Sequence, residues 1–137
     1  MTVDTTALSL PSRIDTVATA AAAVAEFVGR LGVSDEAAFG IDMAVREAVT
    51  NAVLHGNRQD DKKNVEITLK SLPDAVEISV HDQGRGFNPE EVPDPTAQEN
   101  ILKTSGRGIF FMRTFMDEVR WSIRPGGGTT VRMVKRR

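Results

Sequence analysis

The sequence predicts an α/β protein, a two-layer sandwich with helices packed on one face of a mixed, mainly antiparallel sheet. The first part of the chain places apolar residues at helical spacing, with glycine and serine where helices end and begin. Later segments alternate strictly between apolar and polar residues, which is typical of a sheet with one buried and one wet face. The length of 137 residues is that of one domain, spanning 1–137, with a core of its own.

The first two predicted elements are a short strand and a helix. Residues 5–10 form a candidate edge strand that Pro11 stops. Ser12 stands three residues before Asp15, a spacing that resembles a capping box. We therefore expect a helix that begins there and runs through the alanine-rich stretch to about Gly32, a natural stop.

A second predicted helix begins after Ser34, which can cap its N-terminus. Asp35 and Glu36 lie in its first turn, where the helix dipole favours acidic side chains. The helical pattern continues to about His55, and the pair Gly56-Asn57 is expected to end it.

Four further strands are predicted from period-two alternation. Two of them are joined by a turn at Pro73-Asp74, and their apolar positions are Val65, Ile67, Leu69, Val76, Ile78 and Val80. Residues 119–123 and 129–134 give the last two strands. The basic end, residues 135–137, is expected to be a solvated tail, and the arginines at 120, 124 and 132 to be solvated on the wet face.

Between the middle and the last strands lies an irregular segment, residues 83–107, that contains three prolines. A loop of about 20 residues inside a small domain is often a functional lid. A helix over residues 108–116 follows it, and its phenylalanines and methionines are expected to belong to the core.

Composition excludes several classes of protein. The net charge of −2 argues against a dominant contact with nucleic acid, and the absence of cysteine excludes disulfides and thiolate chemistry. The longest apolar run, Ala20 to Ala25, is too short to span a membrane, so we expect a cytoplasmic protein. No phosphate-binding P-loop or complete dinucleotide fingerprint is present.

The second predicted helix carries a row of polar side chains. Glu47, Asn51 and His55 are four residues apart, which puts them on one helical face. Asn51 offers a neutral oxygen to Mg²⁺, which takes few protein ligands together with phosphates. Glu47, one turn away, is suited to accept a proton from a hydroxyl nucleophile. A plain row of exposed or capping residues is an equally good explanation of the pattern taken alone.

Asp82 follows the second of the alternating strands and begins the segment Asp82-Gln83-Gly84-Arg85-Gly86-Phe87. An ionised carboxylate only accepts hydrogen bonds, which suits an exocyclic amine such as that of adenine. Gly84 and Gly86 let the backbone pass close to a flat ligand. A simple glycine-rich turn is the alternative.

Two later segments add phosphate and ligand contacts. Ser105, Gly106, Arg107 and Gly108 begin a predicted helix, whose exposed N-terminal amides bind phosphate. Thr129 enters the last strand after Gly128 and supplies a hydroxyl beside a ligand. Taken singly, an ordinary helix start and a hairpin turn explain these two segments.

In this order, the four segments resemble the N, G1, G2 and G3 boxes of the Bergerat-type (GHKL) ATP-binding fold, over about residues 40–135. The run from Val45 to Gly56 looks like the N box of bacterial anti-sigma-factor serine/threonine kinases, the switch-protein kinases. Residues 105–119 are similar to the segment that follows the lid in the same family.

The resemblance implies a role for each matching residue. Glu47 matches the general base that activates the substrate hydroxyl, and Asn51 matches the Mg²⁺ ligand. Asp82 matches the carboxylate that reads adenine, with Gly84 and Gly86 lining the adenine side. The other nucleotide-binding positions match Ser105, Gly106, Arg107, Gly108 and Thr129.

Two residues beside this row carry separate expectations. Arg46 replaces the small polar residue that the family has before the glutamate, and it points about 100° away from Glu47 on a helix. We expect it to pair with Glu47 or with a partner protein. His55 follows the family pattern, and we expect it to be a structural histidine with its hydrogen bonds satisfied.

The resemblance implies an ATP- and Mg²⁺-dependent serine/threonine kinase that phosphorylates an anti-anti-sigma protein of the STAS type and sequesters a sigma factor. It also implies an ATP lid at about residues 88–107 and a homodimer, with no direct nucleic-acid or membrane partner. One alternative is a non-catalytic ATP-binding module that controls a partner by binding. Another is an ATPase without a protein acceptor.

Overall fold

The alternating segments pair as one sheet, and the helical segments cover one of its faces. The structure, a computed structural model, describes residues 4–57, 60, 62–84, 112–123 and 127–137. Its strands are β1 (Thr5–Pro11), β2 (Asn64–Ser71), β3 (Ala75–His81), β4 (Glu118–Ile123) and β5 (Thr129–Arg136). Its long helices are α1 (Thr16–Leu31) and α2 (Asp35–Asn51).

The strands lie in the order β1-β2-β3-β5-β4, so that β5 is inserted between β3 and β4. Every strand pairing in the described ranges is antiparallel. The predicted two-layer sandwich is confirmed.

The glycine and serine between the helices act as predicted. Gly32 ends α1 in the left-handed conformation, with φ of 66°, which costs a glycine little. The Ser34 side chain caps α2 by accepting a hydrogen bond from the Ala37 amide at 3.1 Å. Asp35 and Glu36 lie in the first turn of α2, as expected.

The start of α1 differs from the prediction. Ser12 does not cap the helix, which begins at Thr16 after Asp15. The Ser12 side chain is buried, and its hydroxyl has no hydrogen-bond partner within the described residues. The Thr16 hydroxyl instead donates to the Pro11 carbonyl oxygen at 2.5 Å, which ties the helix start to the end of β1.

The end of α2 also differs. The α-helix stops at Asn51, and Ala52–Gly56 forms a π-helical turn closed by a hydrogen bond from the Asn57 amide to the Ala52 carbonyl oxygen at 2.8 Å. A π turn brings residue i+5, not i+4, back over residue i. His55 therefore leaves the row that contains Glu47 and Asn51, and its side chain is exposed. The expectation that its hydrogen bonds are satisfied stays a prediction.

The core lies between the helices and the sheet. The predicted inward residues of β2 and β3 are all buried, and they pack with Phe27 of α1 and Ile41 of α2. Residues 112–115 are helical, and Met112 and Met116 are buried in the same core, as expected. Residues 108–111 of that predicted helix lie outside the described ranges.

The open face of the sheet carries ion pairs where the sequence suggested solvated arginines. Arg132 on β5 pairs with Glu77 on β3 and lies 3.8 Å from Glu118 on β4. Arg120 also pairs with Glu118, at 2.6 Å. The arginine at position 124 lies outside the described residues.

The C-terminal residues are part of the sheet, so the expectation of a solvated tail is wrong. β5 continues to Arg136. The Arg137 guanidinium donates to the Ser71 hydroxyl at 2.6 Å and to the Leu72 carbonyl oxygen at 3.0 Å, which fastens the chain end to the β2–β3 turn. Among the helices of the described ranges, none has the length and apolar character needed to cross a membrane.

Candidate functional site

Asp82 stands directly after β3, and its carboxylate is held by backbone amides. Only 8% of the residue is exposed. The Gly84 amide donates to Oδ1 at 3.0 Å and the Thr129 amide donates to the same oxygen at 3.1 Å. The Asp82 amide in turn donates to the Thr129 carbonyl oxygen at 3.0 Å. The carboxylate is therefore fixed by its own loop and by the first residue of β5.

The electrostatic setting of Asp82 favours a ligand that donates a hydrogen bond. Burial raises the pKa of the Asp82 carboxyl above its ordinary value. The amides of Gly84 and Thr129, and then the charges of Lys63 and His81, lower the pKa without cancelling that rise. Within the described residues, no hydrogen bond is made to Oδ2. A ligand amine that donates a hydrogen bond to this carboxylate therefore stabilises its charged form.

Two glycines permit the close packing around this carboxylate. A Cβ placed on Gly56 would lie 2.3 Å from Asp82 Oδ2, and a Cβ placed on Gly84 would lie 2.2 Å from the Gly56 carbonyl oxygen. No side chain fits at such distances, so both positions require glycine. The turn that ends α2 and the loop that follows β3 thus meet at the carboxylate.

Glu47 and Asn51 lie one turn apart on the regular part of α2, on one face of the helix. Both residues are half-buried. The described ranges contain no cluster of three or more His, Asp or Glu side chains that could hold a metal ion. Mg²⁺ bound with a nucleotide needs few protein ligands, because phosphates and waters supply the rest. The amide oxygen of Asn51 fits that requirement.

Arg46 is engaged by its own helix. Its Nε atom lies 3.1 Å from Oδ1 and 3.0 Å from Oδ2 of Asp42, one turn earlier on the exposed side. Arg46 therefore forms an ion pair with Asp42 and not with Glu47, and its pairing with a partner protein stays a prediction.

Sequence reasoning missed Asn57, which is 1% exposed. Its Nδ2 donates to the Asn64 carbonyl oxygen at 3.0 Å, and its Oδ1 accepts from the Gln83 amide at 2.7 Å. It thereby connects the end of the π turn to β2 and to the segment between Asp82 and Gly84. In the sequence, an asparagine after a glycine indicates only a helix end.

The structure thus brings together Asp82, Gly84 and Thr129, with Gly56 against the carboxylate, and it keeps Glu47 and Asn51 on the helix that leads to Gly56. The remaining predicted site residues lie outside the described ranges. They are Gly86, Ser105, Gly106, Arg107 and Gly108, together with the predicted lid at residues 88–107.

A known protein family matches most of the chain. The family described as the histidine kinase-like ATPase domain matches residues 10–135. The chain belongs to this family. This ATPase domain is 36% identical over 115 residues to the anti-sigma F factor of Clostridium perfringens strain SM101, covering 82% of each chain. It is 33% identical over 114 residues to the anti-sigma F factor of Bacillus subtilis, covering 82% of this chain and 78% of the relative. The resemblance to anti-sigma-factor kinases of the GHKL type is confirmed.

Solved structures share the fold of this ATPase domain. The RsbU and RsbW domains of a Mycobacterium tuberculosis protein superpose with a TM-score of 0.71 at 24% identity, covering 97% of this chain and 32% of that one. The chain thus spans about a third of that larger protein. A chain of the SiaB–SiaC complex from Pseudomonas aeruginosa gives a TM-score of 0.71 at 12% identity, covering 94% of this chain and 88% of that one. At these identities the likeness shows the fold.

Proposed function

We propose that this anti-sigma factor is an ATP- and Mg²⁺-dependent serine/threonine kinase. It phosphorylates a small anti-anti-sigma protein and sequesters a sigma factor. The observation that carries the proposal is the Asp82 carboxylate, which is buried, fixed through Oδ1 by two amides and packed against Gly56. That arrangement supports recognition of the exocyclic amine of adenine.

The catalytic assignments rest on α2. Asn51 holds Mg²⁺, which when bound offsets charge on the phosphates during in-line transfer. Glu47 accepts the proton of the serine or threonine hydroxyl, a role that suits a half-buried carboxylate not paired with Arg46. Gly84, Gly86 and Thr129 line the adenine side.

The phosphates are bound by the C-terminal end of the lid and the start of the helix that follows it. Exposed amides at a helix start bind phosphate, and a lid over residues 88–107 excludes water when it closes. The residues assigned to this contact are Ser105, Gly106, Arg107 and Gly108. We also propose that the active form is a homodimer.

The nucleotide site is tested first by thermal unfolding with and without Mg·ATP and Mg·ADP. Ligand at a hundred times its dissociation constant stabilises the folded state by about 2.7 kcal/mol. For a domain of this size, that raises Tm by about 5–10 °C. We expect this shift in the wild type and in the control Asp74→Asn, an exposed residue of the β2–β3 turn. Asp82→Asn should lose it. A wild type that shows no shift refutes the nucleotide site.

The kinase reaction is tested by single-turnover assay with γ-labelled ATP and a candidate anti-anti-sigma protein. Covalent label on a serine or threonine of that protein supports phosphoryl transfer. ATP-dependent binding without label indicates a regulatory module instead. Steady phosphate release without any acceptor indicates an ATPase. Either of the last two results refutes the kinase assignment.

A further inference from the structure

We propose that Asn57 is a positioning residue of the nucleotide site, whose buried side chain holds the π turn after α2 and the Asp82 loop at a fixed separation. This inference rests on the proposed function, because it concerns how the carboxylate that reads adenine is kept in place. Asn57 does not touch the ligand in this proposal and acts through Gly56 and Gln83.

Asn57 is hydrogen-bonded through both its side chain and its backbone amide. Its amide nitrogen donates to Asn64 of β2, its amide oxygen accepts from the Gln83 backbone, and its own backbone amide closes the π turn on Ala52. One residue thus joins three segments of the chain, two of them through its side chain. It is 1% exposed, so water does not compete for these bonds.

The Asn57 side chain is a primary amide, and its two bonds require that group. A primary amide offers a donor and an acceptor at once, and both are used here. An aspartate at position 57 would keep the acceptor and would turn a carboxylate oxygen toward the Asn64 carbonyl. A leucine of similar size would lose both bonds. Asparagine is therefore the residue that satisfies both neighbours.

Gln83 is held by two hydrogen bonds. Its amide donates to Asn57 Oδ1, and its side-chain Oε1 accepts from the Asn64 amide at 2.7 Å. Gln83 lies between Asp82 and Gly84 in the chain. Fixing it fixes the loop in which the Gly84 amide donates to Asp82 Oδ1.

The backbone beside Asn57 is tightly packed against the Asp82 loop. Gly56 is its neighbour in the chain, and there is no room for a Cβ between Gly56 and Asp82 Oδ2 or between Gly84 and the Gly56 carbonyl. A small movement of Asn57 therefore displaces Gly56 relative to the carboxylate. Hydrogen bonds weaken steeply with misalignment, so this movement reaches the ligand through Asp82.

The experiment compares ATP with purine riboside triphosphate, which lacks the exocyclic amine, in equilibrium binding with Mg²⁺. In the wild type the bond from the amine to Asp82 should give ATP about tenfold or more the affinity of the analogue, as a hydrogen bond to a charged group does. In Asn57→Asp and Asn57→Leu we expect this ratio to fall toward one. The ratio reports on the carboxylate, and a general loss of stability does not change it.

Thr16→Val is the matched control. It removes a buried hydrogen bond, to the Pro11 carbonyl, at the start of α1. We expect it to lower Tm and to keep the wild-type ratio. An Asn57 variant that folds and keeps the wild-type ratio overturns the proposal while the nucleotide function stands. A wild type that binds both nucleotides equally overturns the adenine assignment of Asp82 and this inference with it.

Asn57→Ser decides the question if neither Asn57→Asp nor Asn57→Leu folds. Serine is small and polar, so water can fill the space it leaves, but its hydroxyl is too short to reach both the Asn64 carbonyl oxygen and the Gln83 amide. We expect a reduced preference for ATP over the analogue. An unchanged preference in Asn57→Ser then overturns the proposal.

Discussion

At the scale of single residues, the site combines a buried carboxylate with glycines that admit no side chain. The two amides on Oδ1 give Asp82 a fixed direction, and the packing of Gly56 and Gly84 gives it a fixed position. The proposed catalytic residue is of a different kind, because Glu47 is half-buried on a regular helix and is set by helical geometry alone. The two groups should therefore fail in different ways when they are changed.

Glu47→Gln should leave Mg·ATP affinity within about twofold and reduce phosphoryl transfer by about 10²–10⁴-fold, because the amide is isosteric and cannot accept the hydroxyl proton. Equilibrium binding and single-turnover transfer measure the two effects separately. Glu26→Gln, at an exposed position of α1, is the control and should transfer at the wild-type rate. Transfer that survives in Glu47→Gln would assign the base to another residue.

Gly84→Ala should weaken ATP binding and lower the free energy of unfolding by about 1–3 kcal/mol, the usual cost of overpacking. The new methyl group would lie 2.2 Å from the Gly56 carbonyl oxygen, which is backbone and cannot rotate away. Urea denaturation and ATP titration measure both effects. Gly29→Ala is the control, since a Cβ there meets nothing within 4 Å. Equal stability of Gly84→Ala and the wild type would contradict the packing described here.

At the scale of elements, the sequence predicted what depends on periodicity and local capping. Strand alternation placed Val65 and Ile78 inside, and Ser34 and Gly32 marked helix boundaries through backbone chemistry that operates within a few residues. The π turn after Asn51 could not be predicted in this way, because it is closed by Asn57, whose side chain is fixed by Asn64 and Gln83 from distant segments.

The same distinction holds for the site. Asp82 and Gly84 follow a strand that alternation reveals, so they could be found locally. The contact of Thr129 with Asp82 depends on β5 lying beside β3, which is a matter of strand order rather than of local pattern. Family resemblance placed Thr129 near adenine, but neither resemblance nor periodicity predicted its contact with Asp82.

The ion pairs of the open sheet face give a prediction at this scale. Arg132 links β3 and β4 across β5, and its partner Glu77 has a side chain that is only 15% exposed. Arg132→Met should lower the free energy of unfolding by about 0.5–1 kcal/mol at low salt, and by less in 1 M NaCl. Chemical denaturation at two salt concentrations measures the difference. Arg120→Met is the control, with a side chain that is 75% exposed, and should have little effect. A loss independent of salt would indicate packing instead of charge.

For the whole molecule, the raised pKa of Asp82 couples stability to pH. The folded protein keeps this proton at pH values where the unfolded chain has lost it, so the resulting stabilisation is lost as pH rises through the raised pKa. Without nucleotide, the free energy of unfolding of Asp82→Asn should therefore rise relative to that of the wild type as pH increases from the ordinary aspartate pKa of about 3.9 through the raised pKa of Asp82. Urea denaturation at a series of pH values measures the gain, with Asp74→Asn as the control. A constant difference would contradict the shift.

The position of the last strand has a consequence for biosynthesis. Among the described residues, β4 joins the sheet by pairing with β5, and the Asp82 carboxylate accepts a hydrogen bond from the backbone amide of Thr129, the first residue of β5. A nascent chain in which β5 has not yet been synthesised can therefore pair β1–β3 but cannot supply the Thr129 amide to Asp82. Synthesis of β5 completes the sheet and the Asp82 contact together, so products truncated before Thr129 should fail to bind ATP.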